Sequence, residues 1–253
     1  MYLSVDIGNS NIVLGLYADG EWKHVFRYSS DLDKVEEFYI NGFQDILLEW
    51  RVHPSEIRQI GLSSVVPDLT ERVVKVLEDI TLKKVFVLNP ALFTQLALDI
   101  PLPYEIGSDL VANAYAVHQK HNRNAIIVDF GTALTFTVFE KGVGIKGVTF
   151  TPGIRTAFKA LSGNTAQLPE VDLELPEKVI GRDTMHAIQS GILYGYLGLV
   201  KEILSRMEME LGERYFIIAT GGMSSQLPLE NEIDLIDKRL TLDGIRLLHQ
   251  NQM

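Results

Sequence analysis

Two short stretches, far apart in the chain, carry the residue types that phosphate chemistry needs. The first is Asp6-Ile7-Gly8-Asn9-Ser10-Asn11. The second is Asp129-Phe130-Gly131-Thr132-Ala133, whose aspartate follows Asp6 by 123 residues. In each, glycine lets the backbone approach a phosphate closely, and the amides and hydroxyls that follow can donate to its oxygens. A carboxylate at a strand end can hold a magnesium ion, usually through the ion's water. Two such turns facing each other across a cleft would grip the β- and γ-phosphates of a nucleotide. Either turn alone also reads as a β-hairpin in which Gly and Asn supply unusual φ angles. The repetition is what points to phosphate binding.

The elements around the turns repeat as well. Tyr2 to Val5 reads as a buried strand that delivers Asp6 to its turn. Ile12 to Tyr17 leaves as a second strand, and Asp19-Gly20 turns it into a third, Trp22 to Tyr28. In the second half the strands are Ala125 to Val128, Thr135 to Glu140 and Val143 to Val148, with Lys141-Gly142 as the turn. The unit of strand, Asp-x-Gly-polar turn, strand, Gly turn and strand thus occurs twice. Between the copies, Leu32 to Trp50 has mostly helical spacing that Asn41-Gly42 could interrupt. Gln59 to Val66 is a strand stopped by Pro67, Leu69 to Leu77 a helix, and Lys84 to Leu88 a strand. The stretch 91–106 is a loop with room for one helical turn. Ser108 is the expected N-cap of a helix reaching Lys120, with Asp109 in its first turn.

After the second meander the pattern predicts a helix Ile154 to Leu161, a proline-bearing loop Ser162 to Pro176 and long helical structure Arg182 to Glu210. A strand Tyr215 to Ala219 and a closing helix Thr241 to Gln250 follow. Gly191, Gly195 and Gly198 put small residues near one face of the long helix. That suits close packing against another helix and equally suits a plain buried helix. The expected division is 1–117 and 118–253, since no disordered linker separates the halves.

Composition narrows the chemistry. The chain has 253 residues, a net charge of −10 and no cysteine. Disulfides, thiolate catalysis and thiolate zinc sites are excluded, and a cytoplasmic protein is expected. With no Lys/Arg cluster and no run approaching twenty apolar residues, neither nucleic acid nor membrane is expected as a partner. Six histidines form no recognisable ligand set; His118 and His121 share a helix face without a carboxylate pattern beside them.

A duplicated meander with paired Asp-x-Gly turns resembles the acetate/sugar-kinase, chaperone ATPase and actin superfamily. Its fold is α/β, a duplicated actin-like, ribonuclease H-like ATPase, with two similar domains and a nucleotide cleft between them. Within it the chain looks most like the bacterial type III pantothenate kinases, over essentially its whole length. The motifs that carry this are the Asp6 and Asp129 turns (the latter running on to Thr135), Gly107-Ser108-Asp109 and Pro152-Gly153. They continue with Thr165-Ala166-x-Leu168-Pro169, Gly181-x-Asp183-Thr184-x-x-Ala187-Ile188 and Thr220-Gly221-Gly222.

The resemblance implies an enzyme that uses ATP to phosphorylate pantothenate, the first step of coenzyme A synthesis. It implies ATP contacts from Asp6, Ile7, Gly8, Asn9, Ser10, Asn11, Ile12, Val13, Thr132, Gly221 and Gly222, with Mg2+ near Asp6. Asp129 would hold a monovalent cation, K+ or NH4+. Asp109 would be the catalytic carboxylate. Gly107, Ser108, Asp109, Leu110 and Ile100 would line pantothenate, joined by Thr184 from the partner subunit of a homodimer. Two positions depart from the family: Leu110 replaces an arginine and Ile100 a tyrosine common among members. Arg155, Lys159 or Arg182 would have to meet the pantothenate carboxylate instead, and Tyr104 could stand in for the ring. The helix dipole at Asp109 is expected to lower its pKa. Other readings of the same fold are a kinase for a different small hydroxyl acceptor, a sugar kinase, and a nucleotide-binding regulatory protein akin to accessory transcription factors.

Overall fold

The computed structural model describes residues 1–163 and 173–252. The Thr165-Ala166-x-Leu168-Pro169 motif therefore lies outside the described residues. In the first half the central strand β1 (Tyr2–Ile7) is buried at five of its six positions, as a strand flanked on both sides must be. β2 (Asn11–Ala18) runs antiparallel to it and β3 (Glu21–Ser29) antiparallel to β2. β3 is an edge strand, and its exposed Glu21, Lys23, His24 and Arg27 blunt that edge against pairing with another chain. On the other side β4 (Gln59–Ser64) and β5 (Val85–Val87) add in parallel.

The second half repeats this with β6 (Ala125–Phe130), β7 (Ala133–Glu140), β8 (Gly144–Pro152), β9 (Phe216–Thr220) and the short β10 (Leu235–Ile236). The sheet orders are β3-β2-β1-β4-β5 and β10-β9-β6-β7-β8. Read from the third strand of each copy inwards, they are the same order. Even the irregularity is copied: register shifts at Leu16/Tyr17 and at Val138/Phe139, the same step along β2 and β7. A bulge in the same place twists the outer hairpin of both sheets alike.

In unit 1, helices α1 (Glu36–Glu49) and α2 (Pro67–Thr81) cover one sheet face. Leu69, Val73, Val76 and Leu77 form the buried stripe of α2, and Pro67 sits at its start, where a missing N–H costs nothing. Pro67 thus begins a helix as well as ending the strand. α1 continues straight through Asn41-Gly42, without the interruption that pair could have made. Gly42 is there for space, since a Cβ would run into the Tyr28 hydroxyl. A short α3 (Pro90–Phe93) is the helical turn expected in the loop.

Helices α4 (Ser108–Lys120) and α7 (Leu240–Gln250) pack on each other so closely at Gly244 that any Cβ would strike Ala112 O. Ser4 Oγ donates to Leu242 O (2.9 Å), and Asp243 accepts from Trp22 Nε1 (3.0 Å) and Lys120 Nζ (2.6 Å). The closing helix therefore belongs with the first half. The compact units are residues 1–122 with 239–253, and residues 123–238, which differs from the division at 117/118.

In unit 2, α5 (Ile154–Gly163) and α6 (Thr184–Leu211) lie on one sheet face, with Phe136, Leu193, Val200 and Leu204 among the buried residues between them. Asp183 caps α6 by accepting from His186 N (2.9 Å), and Gly212, at φ +75°, ends it. A Cβ placed on Gly191, Gly195 or Gly198 would meet nothing within 4 Å among the described residues, so the small-residue face of α6 is not packed against a described helix.

Candidate functional site

In unit 1, Asp6 is the penultimate residue of the central strand, one position earlier than a residue beyond the strand end. Its ladder partners are Val13 on β2 and Ser63 on β4. The turn after it is closed by Gly8 N donating to Asn11 O (2.9 Å), and it is tied to the end of β3 by Ser30 Oγ donating to Gly8 O (2.6 Å). Asn9 and Ser10 are exposed, while Ile7 and Ile12 are fully buried. Of the segment 6–13, then, the two isoleucines hold the turn in the core and can offer a ligand only backbone.

The α4 N-terminus lies next to the end of β4. Gly107, with φ −62° and ψ 138°, takes the N-cap position expected for Ser108, which is the first helical residue instead. The Ser108 hydroxyl is engaged on the strand: it pairs with Ser63 Oγ (2.9 Å), accepts from Ser64 N (3.1 Å) and lies 3.0 Å from Ser64 O. Asp109 folds back over Gly107, where any Cβ would collide with Asp109 Oδ1, and that oxygen accepts from Leu110 N (2.9 Å).

Burial raises the Asp109 carboxyl above the ordinary carboxylate range, outweighing the backbone hydrogen bonds that pull it down. This reverses the shift expected from the helix dipole, because desolvation of a sheltered carboxylate exceeds a partial charge at a helix end. A carboxylate so placed is a better proton acceptor than a surface one. Leu110 and Ile100 are 3% and 7% exposed, so both side chains are buried, whereas Tyr104 is exposed.

In unit 2, Asp129 is the penultimate residue of its central strand, as Asp6 is in unit 1. It is half-buried, with Thr135 opposite it on β7 and Thr220 beside it on β9. Two glycines lie close to its carboxylate. A Cβ on Gly221 would stand 2.5 Å from Asp129 Oδ1, and one on Gly131 3.6 Å from it. Gly221 has φ +89°, a left-handed conformation that only glycine adopts readily.

The exposed Thr132 has its carbonyl held by Gly153 N (2.9 Å) and Thr156 Oγ1 (2.6 Å), which fixes the turn on the first turn of α5. Gly222 is exposed, as are Thr184, Arg155, Lys159 and Arg182. The turn is one residue tighter than its counterpart: Gly131 N donates to Ala133 O (3.1 Å), two residues on rather than three. Among the described residues, no group of three or more His, Asp or Glu side chains could hold a metal ion. What Asp129 offers is a hard carboxylate oxygen between glycines, a donor that fits an oxygen-seeking cation.

Sequence reasoning passed over Ser63, Ser64 and Thr156. The signal for Thr156 was available, since it is the third residue after the Pro152-Gly153 turn. Nothing in the sequence couples Ser63 or Ser64 to Ser108.

A five-stranded sheet built twice, with an Asp-x-Gly turn ending each central strand, is the duplicated actin-like, sugar-kinase-like α/β fold. A solved structure from Campylobacter jejuni, assigned to the Baf family of transcriptional activators, matches with a TM-score of 0.60 at 21% identity. The match covers 99% of this chain and 98% of that one. The activator of the 2-hydroxyisocaproyl-CoA dehydratase from Clostridium difficile, with bound ADPNP, matches at TM-score 0.52 and 9% identity, covering 99% and 96%.

Sequence narrows the class to one family. The model of the type III pantothenate kinase family matches residues 2–206. A type III pantothenate kinase from Moorella thermoacetica is 36% identical over 252 residues, 99% of each chain. One from Geotalea daltonii is 37% identical over 255 residues, 99% of this chain and 98% of that one. The chain belongs to the type III pantothenate kinase family.

Proposed function

We propose that this protein transfers the γ-phosphoryl group of ATP to the hydroxyl of pantothenate, giving 4'-phosphopantothenate, the first intermediate of coenzyme A synthesis. The observation that carries this reading is family membership over nearly the whole chain, with the Asp6, Asp109 and Asp129 positions all present. The exposed Asn9, Ser10 and Thr132, with the backbone of 6–13 and Gly221-Gly222, serve the nucleotide. Gly107, Ser108, Asp109 and Thr184 serve pantothenate. The raised pKa of Asp109 suits it to orient the acceptor hydroxyl and take its proton late, as a loose phosphoryl-transfer transition state requires.

Mg2+ near Asp6 and a monovalent cation at Asp129 would neutralise phosphate charge when bound. Leu110 and Ile100, both buried, give the acceptor site shape without a guanidinium, so the pantothenate carboxylate must be met by another cation. Arg155, Lys159 and Arg182 are exposed candidates.

The protein works as a homodimer in this reading. The open glycine face of α6 and the exposed Val179, Ile180 and Met185 near its start are the surface that favours it. The absence of cysteine agrees with a cytoplasmic setting, and no described helix is long and apolar enough to cross a membrane. A regulatory role without catalysis, or a different acceptor, is not favoured, because relatives spanning the full chain are named as pantothenate kinases.

The test is incubation with ATP, Mg2+, K+ and pantothenate, read by mass for phosphopantothenate. Product that depends on pantothenate upholds the reading. ATP consumed without that product, or not consumed at all, overturns it.

A further inference from the structure

Thr135 and Thr137 are the polar residues of β7 on the sheet face opposite α5 and α6, alternating with the core residues Leu134, Phe136 and Val138. They are 7% and 1% exposed, and neither hydroxyl has a hydrogen-bond partner among the described residues. A buried hydroxyl left unpaired is destabilising, so valine, of the same shape, would be the more stable choice at either position. The two differ in what stands opposite. Thr137 faces Ile127, whereas Thr135 faces Asp129 on the same side of the sheet, within the separation typical of a cross-strand pair. Asp129 is also the carboxylate that Gly131 and Gly221 approach without a side chain of their own.

We propose that the Thr135 hydroxyl is a ligand of the Asp129 site, supplying a neutral oxygen to the monovalent cation held there. This rests on the reading of Asp129 as the cation-binding carboxylate. A potassium-like ion takes several oxygen ligands of mixed kind, and a hydroxyl fixed on a strand adds one at no cost in charge. Thr137, one strand repeat farther along, has no such neighbour and serves as the control.

The experiment compares wild type with Thr135→Val, Thr135→Ala, Thr135→Ser, Thr137→Val and Asp129→Asn. Thermal midpoints are measured in KCl against N-methylglucamine chloride at equal ionic strength, with and without Mg–ATP, and the K+ dependence of turnover is titrated. Thr135→Val should raise the half-saturating K+ about tenfold or more, roughly the loss of 1.4 kcal/mol of binding. Its midpoint without K+ should be unchanged or higher. Thr135→Ser and Thr137→Val should keep the wild-type K+ response, and Asp129→Asn should lose it. Thr135→Ala is read in place of valine if the valine variant does not fold.

Wild-type K+ half-saturation in the hydroxyl-less variants overturns the ligand role of Thr135 while leaving Asp129 in place. Equal weakening by Thr137→Val overturns it as well. If wild type shows no K+ response, or Asp129→Asn retains one, the reading of Asp129 and this inference fall together.

Discussion

Gly221→Ala is the substitution whose cost the structure defines most fully. Gly221 has φ +89°, and a Cβ there would lie 2.5 Å from Asp129 Oδ1 and 2.7 Å from both N and C of Phe130. The conformational part, holding a residue other than glycine in the left-handed region, costs about 1–2 kcal/mol. The steric part is an overlap with backbone of a central strand that cannot move aside, and overpacking of that kind costs about 1–3 kcal/mol more. Gly142 in the same unit separates the two parts. Its φ is +79°, yet nothing lies within 4 Å of its would-be Cβ, so Gly142→Ala should cost the conformational part alone.

Thermal unfolding of both variants against wild type measures the difference. At about 2–4 °C per kcal/mol for a chain of this size, Gly221→Ala should melt about 2–12 °C below Gly142→Ala. Nucleotide affinity, by titration calorimetry, should fall only in Gly221→Ala, because only there is the Asp129 carboxylate pushed from its place. Equal melting temperatures for the two variants would refute the close approach of Gly221 to Asp129 and Phe130.

Asp109→Asn should reduce turnover by about 10²–10⁴-fold while leaving ATP binding nearly unchanged; retention of most activity would remove Asp109 from catalysis. It should also stabilise the protein at neutral pH. The folded pKa of Asp109 is raised, so its favourable contribution is complete below the unfolded value and is lost as pH rises through the folded one. The advantage of asparagine in chemical denaturation should therefore vanish below about pH 4 and open above it, and a gap independent of pH would contradict this. Gly107→Ala places a methyl in collision with Asp109 Oδ1 as it now lies and should lower kcat by about 10–100-fold with ATP binding intact; unchanged kcat would mean that the carboxylate position does not matter. His249 stacks on Phe86 and bonds Tyr2 OH (3.0 Å), and burial lowers its pKa. Its contribution is present above the unfolded value of about 6.5 and lost as pH falls through the folded one, so stability should decline on acidification below about pH 6.5. His249→Gln should flatten that decline, and an unaltered slope would assign it to other groups.

Both meanders were legible in the sequence because their signals are local. Apolar runs of strand length, a glycine turn and alternation fix β1, β2, β3 and their copies within two residues at nearly every end; β8 runs on to Pro152. What failed depended on distance. Asn41-Gly42 reads as a breaker, yet Gly42 sits in a continuous helix because the Tyr28 hydroxyl occupies the space of a side chain. Ser108 has the composition of an N-cap. The capping conformation nevertheless fell to Gly107, because the serine hydroxyl is engaged with Ser63 and Ser64, some 45 residues earlier. The closing helix carries no local mark of which half it joins; that is settled where Gly244 meets Ala112. The direction of the Asp109 shift was missed for the same reason, since a dipole is visible from position in a helix and burial is not.

The two copies also show how one local pattern is turned to different ends. Strand order, pairing and even the register shift are shared, so the central aspartate arrives at the end of its strand in the same way in each. The difference begins one residue later. The first turn spans Gly8 to Asn11 and is braced by Ser30, just past the end of β3. The second closes one residue sooner and is braced by Gly153 and Thr156 from a helix start. With the brace on the turn's glycine carbonyl, Asn9 and Ser10 stay exposed. A brace on the Thr132 carbonyl holds that residue in place, and Gly131 and Gly221 add no side chain beside Asp129. In the function proposed above, the first turn would present donors to a phosphate and the second would present oxygen around a carboxylate to a cation. Exchanging the turns, by inserting one residue after Gly131 or deleting one after Gly8, should abolish nucleotide binding while the strands still pair, because the pairing is specified by the flanking apolar residues and not by the turn.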